Sequence, residues 1–311
     1  MTTTDPAAAT SGWTAADIPD QTGRTFVVTG ASSGVGRAAA LELARHGAHV
    51  VMACRDVGKG DLAADAICRR HPRASVEVRA LDLADLSSVR AFAAAFVEGG
   101  RGLDVLVNNA GVMGLPRSLS ADGYERQFAT NHLGHYALTG LLLPALSAEG
   151  VRVVTVTSSG HRAGRMRFGD LMGERRYRRF GAYFQSKLAN LLFTYELQRR
   201  LARAGRDAIA VACHPGVSST ALGRATPVQS WVIGLGDGLV SQPAAMGALP
   251  TLRAATDPGV RGGDCFGPRG IAEMAGPPVR VASSRASHDE EVARRLWEHS
   301  VELTGVDYGG L

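Results

Sequence analysis

The chain of 311 residues has only four cysteines, Cys54, Cys68, Cys213 and Cys265, and no C-x-x-C pair. A disulfide framework is thereby excluded, and buried reduced thiols in a cytoplasmic protein are expected. No apolar run reaches the roughly 18 residues that a membrane-spanning helix needs; 138–146 is too short, and 231–240 is broken by three glycines. The start of the chain has neither a basic segment nor an apolar core, so 1–20 is expected to be a flexible segment and not a secretory signal. His132, His135, His161 and His214 are not spaced as metal ligands, and no metal is expected. Acidic residues are outnumbered by lysine and arginine, 29 to 34. Aromatics are few, at 6%. A nucleic-acid surface would need stacking aromatics interleaved with its basic residues, and the most basic stretch offers only Phe168, Tyr177 and Phe180.

What is present is alternation. Short β-branched runs at 25–29, 49–53, 75–78, 104–107, 152–157 and 208–212 read as strands, and helical periodicity follows at 36–46, 62–70, 87–96 and 182–203. This order predicts one α/β domain over 21–311, a doubly wound (Rossmann) parallel sheet with helices on both faces. Residues 217–250 break the rhythm and read as a lid over the substrate. One more strand is expected within 257–276 and a helix near 288–303.

The first strand runs into Gly30-Ala31-Ser32-Ser33-Gly34-Val35-Gly36, and a helix opens at Arg37. Glycines between a strand and a helix let the backbone approach a pyrophosphate, whose charge is met by free N–H groups and the helix dipole. The spacing is G-x-x-x-G-x-G. Further along stand Asp82-Leu83, Asn108-Asn109-Ala110-Gly111, Ser158-Ser159, Tyr183-Phe184-Gln185-Ser186-Lys187 and Pro215-Gly216. In this order the motifs resemble the short-chain dehydrogenase/reductase family over roughly 13–220.

Tyr183 and Lys187 are four apart in a helical stretch and so share a face. A tyrosine with its ordinary pKa of about 10 is a poor acid or base at neutral pH, and a nearby ammonium lowers that value by stabilising the phenolate. The resemblance makes Tyr183 the catalytic acid/base. It gives Lys187 a second task on the nicotinamide ribose, and Asn131 a place in a proton relay. Ser159 becomes the residue that holds the substrate oxygen, with Ser158 as its competitor. It also implies that Asp82 and Leu83 meet the adenine, that Asn109, Ala110 and Gly111 line its far side, and that Pro215, Gly216, Val217 and Thr220 hold the nicotinamide end. Arg55, at the end of the second strand and next to Arg37 in the first helix, favours NADP(H) over NAD(H), because a 2′-phosphate attracts arginine. Dimers or tetramers are common in the family, through two long helices that here correspond to 120–146 and 182–203.

Between Ser159 and Tyr183 lie 23 residues, more than in the shorter family members. With Cys54-Arg55-Asp56 and His214-Pro215-Gly216, this length resembles the retinol dehydrogenase branch and its bacterial relatives, and implies a hydrophobic alcohol or carbonyl substrate. The inserted 160–182 carries seven arginines against Asp170 and Glu174. It reads either as a solvated basic loop or as a patch that draws an anionic substrate, carrier or membrane surface to the site. The competing functional reading is a catalytically silent NADP(H)-binding regulator; the presence of Asn131, Ser159, Tyr183 and Lys187 together argues against it.

Overall fold

The computed structural model describes residues 12–146, 150–217 and 242–311. Eight strands form one sheet: β1 (Thr25–Thr29), β2 (His49–Cys54), β3 (Ser75–Ala80), β4 (Val105–Asn108), β5 (Val151–Val156), β6 (Ala208–Cys213), β7 (Cys265–Pro268) and β8 (Pro278–Arg280). Their order is β3-β2-β1-β4-β5-β6-β7-β8. Every pairing is parallel except β7 with β8. Strands β1 and β4 are buried throughout, as strands covered on both faces should be.

One face of the sheet is covered by α1 (Gly34–Arg45), α2 (Val57–Arg70) and α7 (Ala244–Thr256), whose Leu43, Ile67 and Leu252 share a core with Phe26 and Val50. On the other lie α3 (Leu86–Glu98), α5 (Gly134–Leu142) and α6 (Arg179–Arg203), which bring Phe92, Leu138 and Phe193 together with Val27 and Leu106. A short α4 (Arg126–Phe128) leads through a π turn, Ala129–Leu133, into α5. Asp56, Asp85 and Asp289 cap α2, α3 and α8 (Glu290–Thr304) by accepting first-turn N–H bonds.

Several expectations change. Residues 12–20 are not loose: Trp13 packs on the core, Ile18 is buried, and Thr14 and Asp17 form a capping box. Residues 218–241, most of the expected lid, lie outside the described residues, but its end does not: 244–250 belongs to α7 and is largely buried. Helix 182–203 was a candidate surface for association. In this chain α8 and the inserted segment pack on it through Leu188, Leu192 and Leu296, and residues 185–197 are all buried. It has no free face over that stretch.

Candidate active site

The order of strands reverses between β1 and β4, and the crevice outside their carboxyl ends is where a doubly wound sheet takes its ligand. A cleft of about 520 Å³ lies there. Its floor is the turn after β1. Gly30 adopts φ +67°, and a Cβ on it would stand 2.9 Å from Ala110 Cα; one on Gly36 would stand 2.5 Å from Asn109 Nδ2 and 2.6 Å from Gly30 O. Only glycine fits at either position. Ser33, the N-cap of α1, makes no side-chain cap bond, so the first-turn N–H groups of that helix stay available to an anion.

Ser32, Ser33, Gly34, Val35 and Gly36 line the cleft with Gly30, as do Asp82 and Leu83 opposite. Asn109, Ala110 and Gly111 form a further wall. Asn109 holds that wall through its own side chain: Nδ2 donates to Thr29 O at 2.8 Å, while the Asn109 and Ala110 N–H groups both donate to Thr29 Oγ1 at 2.9 Å. Arg55 lines the cleft and makes no ion pair among the described residues. Arg37 does not line it and points to solvent from α1. Asp56 is committed: its carboxylate accepts from Lys59 N at 3.0 Å and pairs with Lys59 Nζ at 2.9 Å, contacts that pull its pKa below the usual range. Lys59 itself lines the cleft and was missed by sequence reasoning. The signal was composition, because Lys59 and Lys187 are the only lysines in the chain.

The second half of the site is built where β5 meets α6. Lys187 Nζ and Asn190 Nδ2 both donate to Val156 O at 3.1 Å, and Thr157 Oγ1 donates to Lys187 O at 2.8 Å. Asn131, in the π turn, accepts from Val112 N at 2.8 Å and donates to Val112 O and to Ser186 Oγ, both at 2.9 Å. Ser186 Oγ in turn donates to Tyr183 O at 2.7 Å. The Asn131 side chain is thus occupied in fixing the 109–112 wall to α6. A Cβ on Gly111 would sit 3.3 Å from both Asn131 Oδ1 and Lys187 Nζ, which places these groups under that wall.

Tyr183 and Lys187 are both buried. Burial pushes the Tyr183 phenol above its usual pKa, and a hydrogen bond with the Ser158 side chain pulls it partly back. Of the two serines, the one that bears on the Tyr183 hydroxyl is Ser158, the competitor in the pair; Ser159 begins the 3-10 turn Ser159–Ala163. Lys187 Nζ stands 5.9 Å from the Tyr183 ring centroid and is turned to Val156 O, while burial lowers its own pKa to about 8. Pro215, Gly216 and Val217 follow β6, and Thr220 lies outside the described residues.

In the insertion, Arg162 pairs with Glu273 at 2.9 Å and Arg175 N donates to Asp170 Oδ1 at 3.1 Å. Arg165, Arg167, Arg176, Arg178 and Arg179 are exposed. Among the described residues no helix is long and apolar enough to cross a membrane, and no group of acidic, histidine and cysteine side chains could hold a metal.

A family model described as short chain dehydrogenase matches residues 24–230. Human retinol dehydrogenase 13 is 40% identical over 299 residues, covering 92% of this chain and 86% of that protein. Human retinol dehydrogenase 11 is 42% identical over 287 residues, covering 91% and 86%. Among solved structures, an uncharacterized protein from Mycobacterium paratuberculosis superposes with TM-score 0.80 at 46% identity, covering 96% of this chain and 99% of that one. A Beutenbergia cavernae protein named for NAD(P) dependent gluconate 5-dehydrogenase activity, with NADP bound at low occupancy, gives TM-score 0.60 at 29% identity, over 76% and 90%.

Proposed function

Because the chain belongs to the short-chain dehydrogenase/reductase family, in its retinol dehydrogenase branch, we propose that it moves hydride between NADP(H) and a hydrophobic alcohol or carbonyl compound with Tyr183 as acid/base. The observation that carries this reading is the buried pair Tyr183 and Lys187, one helical turn apart, with Lys187 Nζ held at Val156 O beneath Gly111 of the cleft wall. The bound dinucleotide supplies or takes the hydride. In reduction, Tyr183 gives its proton to the carbonyl oxygen, and Ser158 hydrogen-bonds the same oxygen and orients it. A phenol held above its ordinary pKa is protonated at neutral pH, the form that reduction requires. Lys187, with an ammonium pKa of about 8, stands ready to pass on a proton as the phenolate is discharged.

NADP(H) is favoured over NAD(H) by charge. Arg55 and Lys59 line the cleft, and Asp56, the one carboxylate beside them on this strand end, is already spent on the cap of α2 and on Lys59. A ribose 2′-phosphate meets Arg55 there, unpaired among the described residues, with the Lys59–Asp56 ion pair beside it, whereas a bare ribose finds no free carboxylate on this strand end.

The test is NADPH and NADH oxidation with retinal and a panel of ketones and aldehydes. NADPH should be preferred, and Tyr183→Phe should lose roughly 10²-fold or more of turnover while still binding NADPH. Equal use of the two dinucleotides would remove the argument from Arg55 and Lys59. Tight NADPH binding without turnover on any substrate would favour the regulator instead.

A further inference from the structure

The turn after β6, His214-Pro215-Gly216, is braced by a segment that lies between β7 and β8. His214 is buried, and its ring lies where a side chain on Gly267 of β7 would be: a Cβ there would stand 2.3 Å from Nε2. Gly216 N donates to His214 Nδ1 at 3.3 Å, so Nδ1 is an acceptor and carries no hydrogen. His214 Nε2 stands 2.8 Å from Glu273 Oε2, and a carboxylate only accepts, so the ring hydrogen is on Nε2. One tautomer satisfies both contacts. The other would set an N–H against an N–H at Gly216 and leave the carboxylate facing a lone pair.

Glu273 is brought to this position at a cost. Ala272 and Glu273 have φ of +51° and +58°, two successive residues in the left-handed region that side chains disfavour. The carboxylate is steadied from its other side by Arg162 Nη2 at 2.9 Å, and Arg162 also donates to Ala282 O at 2.7 Å. Two backbone contacts complete the brace: Val217 N donates to Met274 O at 2.8 Å, and Gly216, at φ +66°, has no room for a Cβ, which would stand 2.3 Å from that same oxygen. Strain that persists here is held by a network whose end product is the conformation of the Gly216 turn.

We propose that Glu273 is a positioning residue: it fixes the Nε2–H tautomer of His214, which makes Nδ1 the acceptor that sets Gly216 and so shapes the seat of the nicotinamide end of the cofactor. The inference rests on the cofactor reading above only in its last step. Arg162 links this device to the inserted segment, so the segment and the seat share one carboxylate.

The test reads the tautomer and the seat separately. Long-range ¹H–¹⁵N spectra of the protein labelled at histidine, with His214 identified by its loss in His214→Gln, should show Nε2–H without cofactor. Glu273→Ala should redistribute the tautomers and raise the Kd and KM for NADPH by roughly tenfold, with a smaller change in kcat. Glu273→Gln keeps an oxygen acceptor for Nε2–H but loses the Arg162 ion pair. It should retain the tautomer and an affinity within a few-fold of wild type. Ala272→Gly relieves the backbone without touching the carboxylate, and it should leave the spectrum unchanged. An unaltered tautomer in Glu273→Ala would overturn the proposal whether or not NADPH is the cofactor. Equal losses in Glu273→Gln and Glu273→Ala would overturn it in favour of a purely ionic brace.

Discussion

Ser158 and Ser159 are the same residue type in adjacent positions, and what separates them is where β5 stops. Its last paired residue is Val156, matched to Cys213; Thr157 then turns its hydroxyl to Lys187 O, and Ser158 is left at the N-cap of a 3-10 turn with its side chain toward α6. Successive side chains at a strand end point to opposite sides, so an error of one residue exchanges a site residue for a bystander. Ser158→Ala should lower kcat/KM by roughly 10²-fold, and Ser159→Ala should change it by less than about threefold, as steady-state kinetics with NADPH will report. The reverse ranking would restore Ser159. That Tyr183, Lys187 and Asn131 come together was legible from their order and spacing, but which serine faces Tyr183 was not, because register is set by pairing with β6 and not by the pair's own letters. Lys59 escaped for a related reason: it reaches the cleft only because Asp56 starts α2 at Val57, five residues before the periodicity begins to show at 62.

Besides Arg162 and the packing of Phe168 and Met172, the inserted segment is anchored through one hydroxyl. Tyr177 hydroxyl lies 2.9 Å from Leu115 O and 3.0 Å from Glu125 Oε1, and it accepts from Gln127 Nε2 at 2.8 Å. Glu125 is itself buried and caps α4 through the N–H groups of Gln127 and Phe128. Tyr177→Phe removes one hydroxyl from three partners and should cost about 1–3 kcal/mol in urea unfolding. It should also speed tryptic cleavage at the arginines of 160–182. An unchanged unfolding midpoint would mean that the anchor lies elsewhere, in the packing of Phe168 and Met172 against α6 and α8. Other elements differed in how plainly the sequence announced them. Strands β1, β2, β4, β5 and β6 show themselves as apolar runs because both faces are covered, whereas β3, at the sheet edge, alternates and has no buried residue. Helix α7 was hidden by Pro250, which lacks the N–H that a helix interior uses and reads as a break, yet here it sits buried in the middle of the helix. Three residues, Pro278–Arg280, were too few to reveal β8.

For the whole molecule, buried neutral histidines set the response to acid. Burial holds His132 at about 3 and His135 at about 4, against a usual value of 6.5, and also lowers His161 and His214. A lowered value means that the unfolded chain binds more protons. Stability from these groups is therefore complete above about pH 6.5 and lost as pH falls through the window down to about 4 for His135 and about 3 for His132. Each such histidine contributes a slope of about 1.4 kcal/mol per pH unit within its window. Melting followed from pH 7.5 to 4.5 should show Tm falling steadily below about 6.5; a flat profile would mean that these rings are hydrated in solution.

The two lysines have a further consequence. Arginine supplies every other side-chain positive charge apart from protonated histidine, and both Lys59 and Lys187 belong to the candidate site. Amine chemistry on the side chains of this protein is therefore addressed to the site by composition alone. An acylating or reductively alkylating reagent finds the exposed Lys59 at the rim first and Lys187 only where the interior opens. A label can thus be placed at the candidate cleft without engineering a single residue.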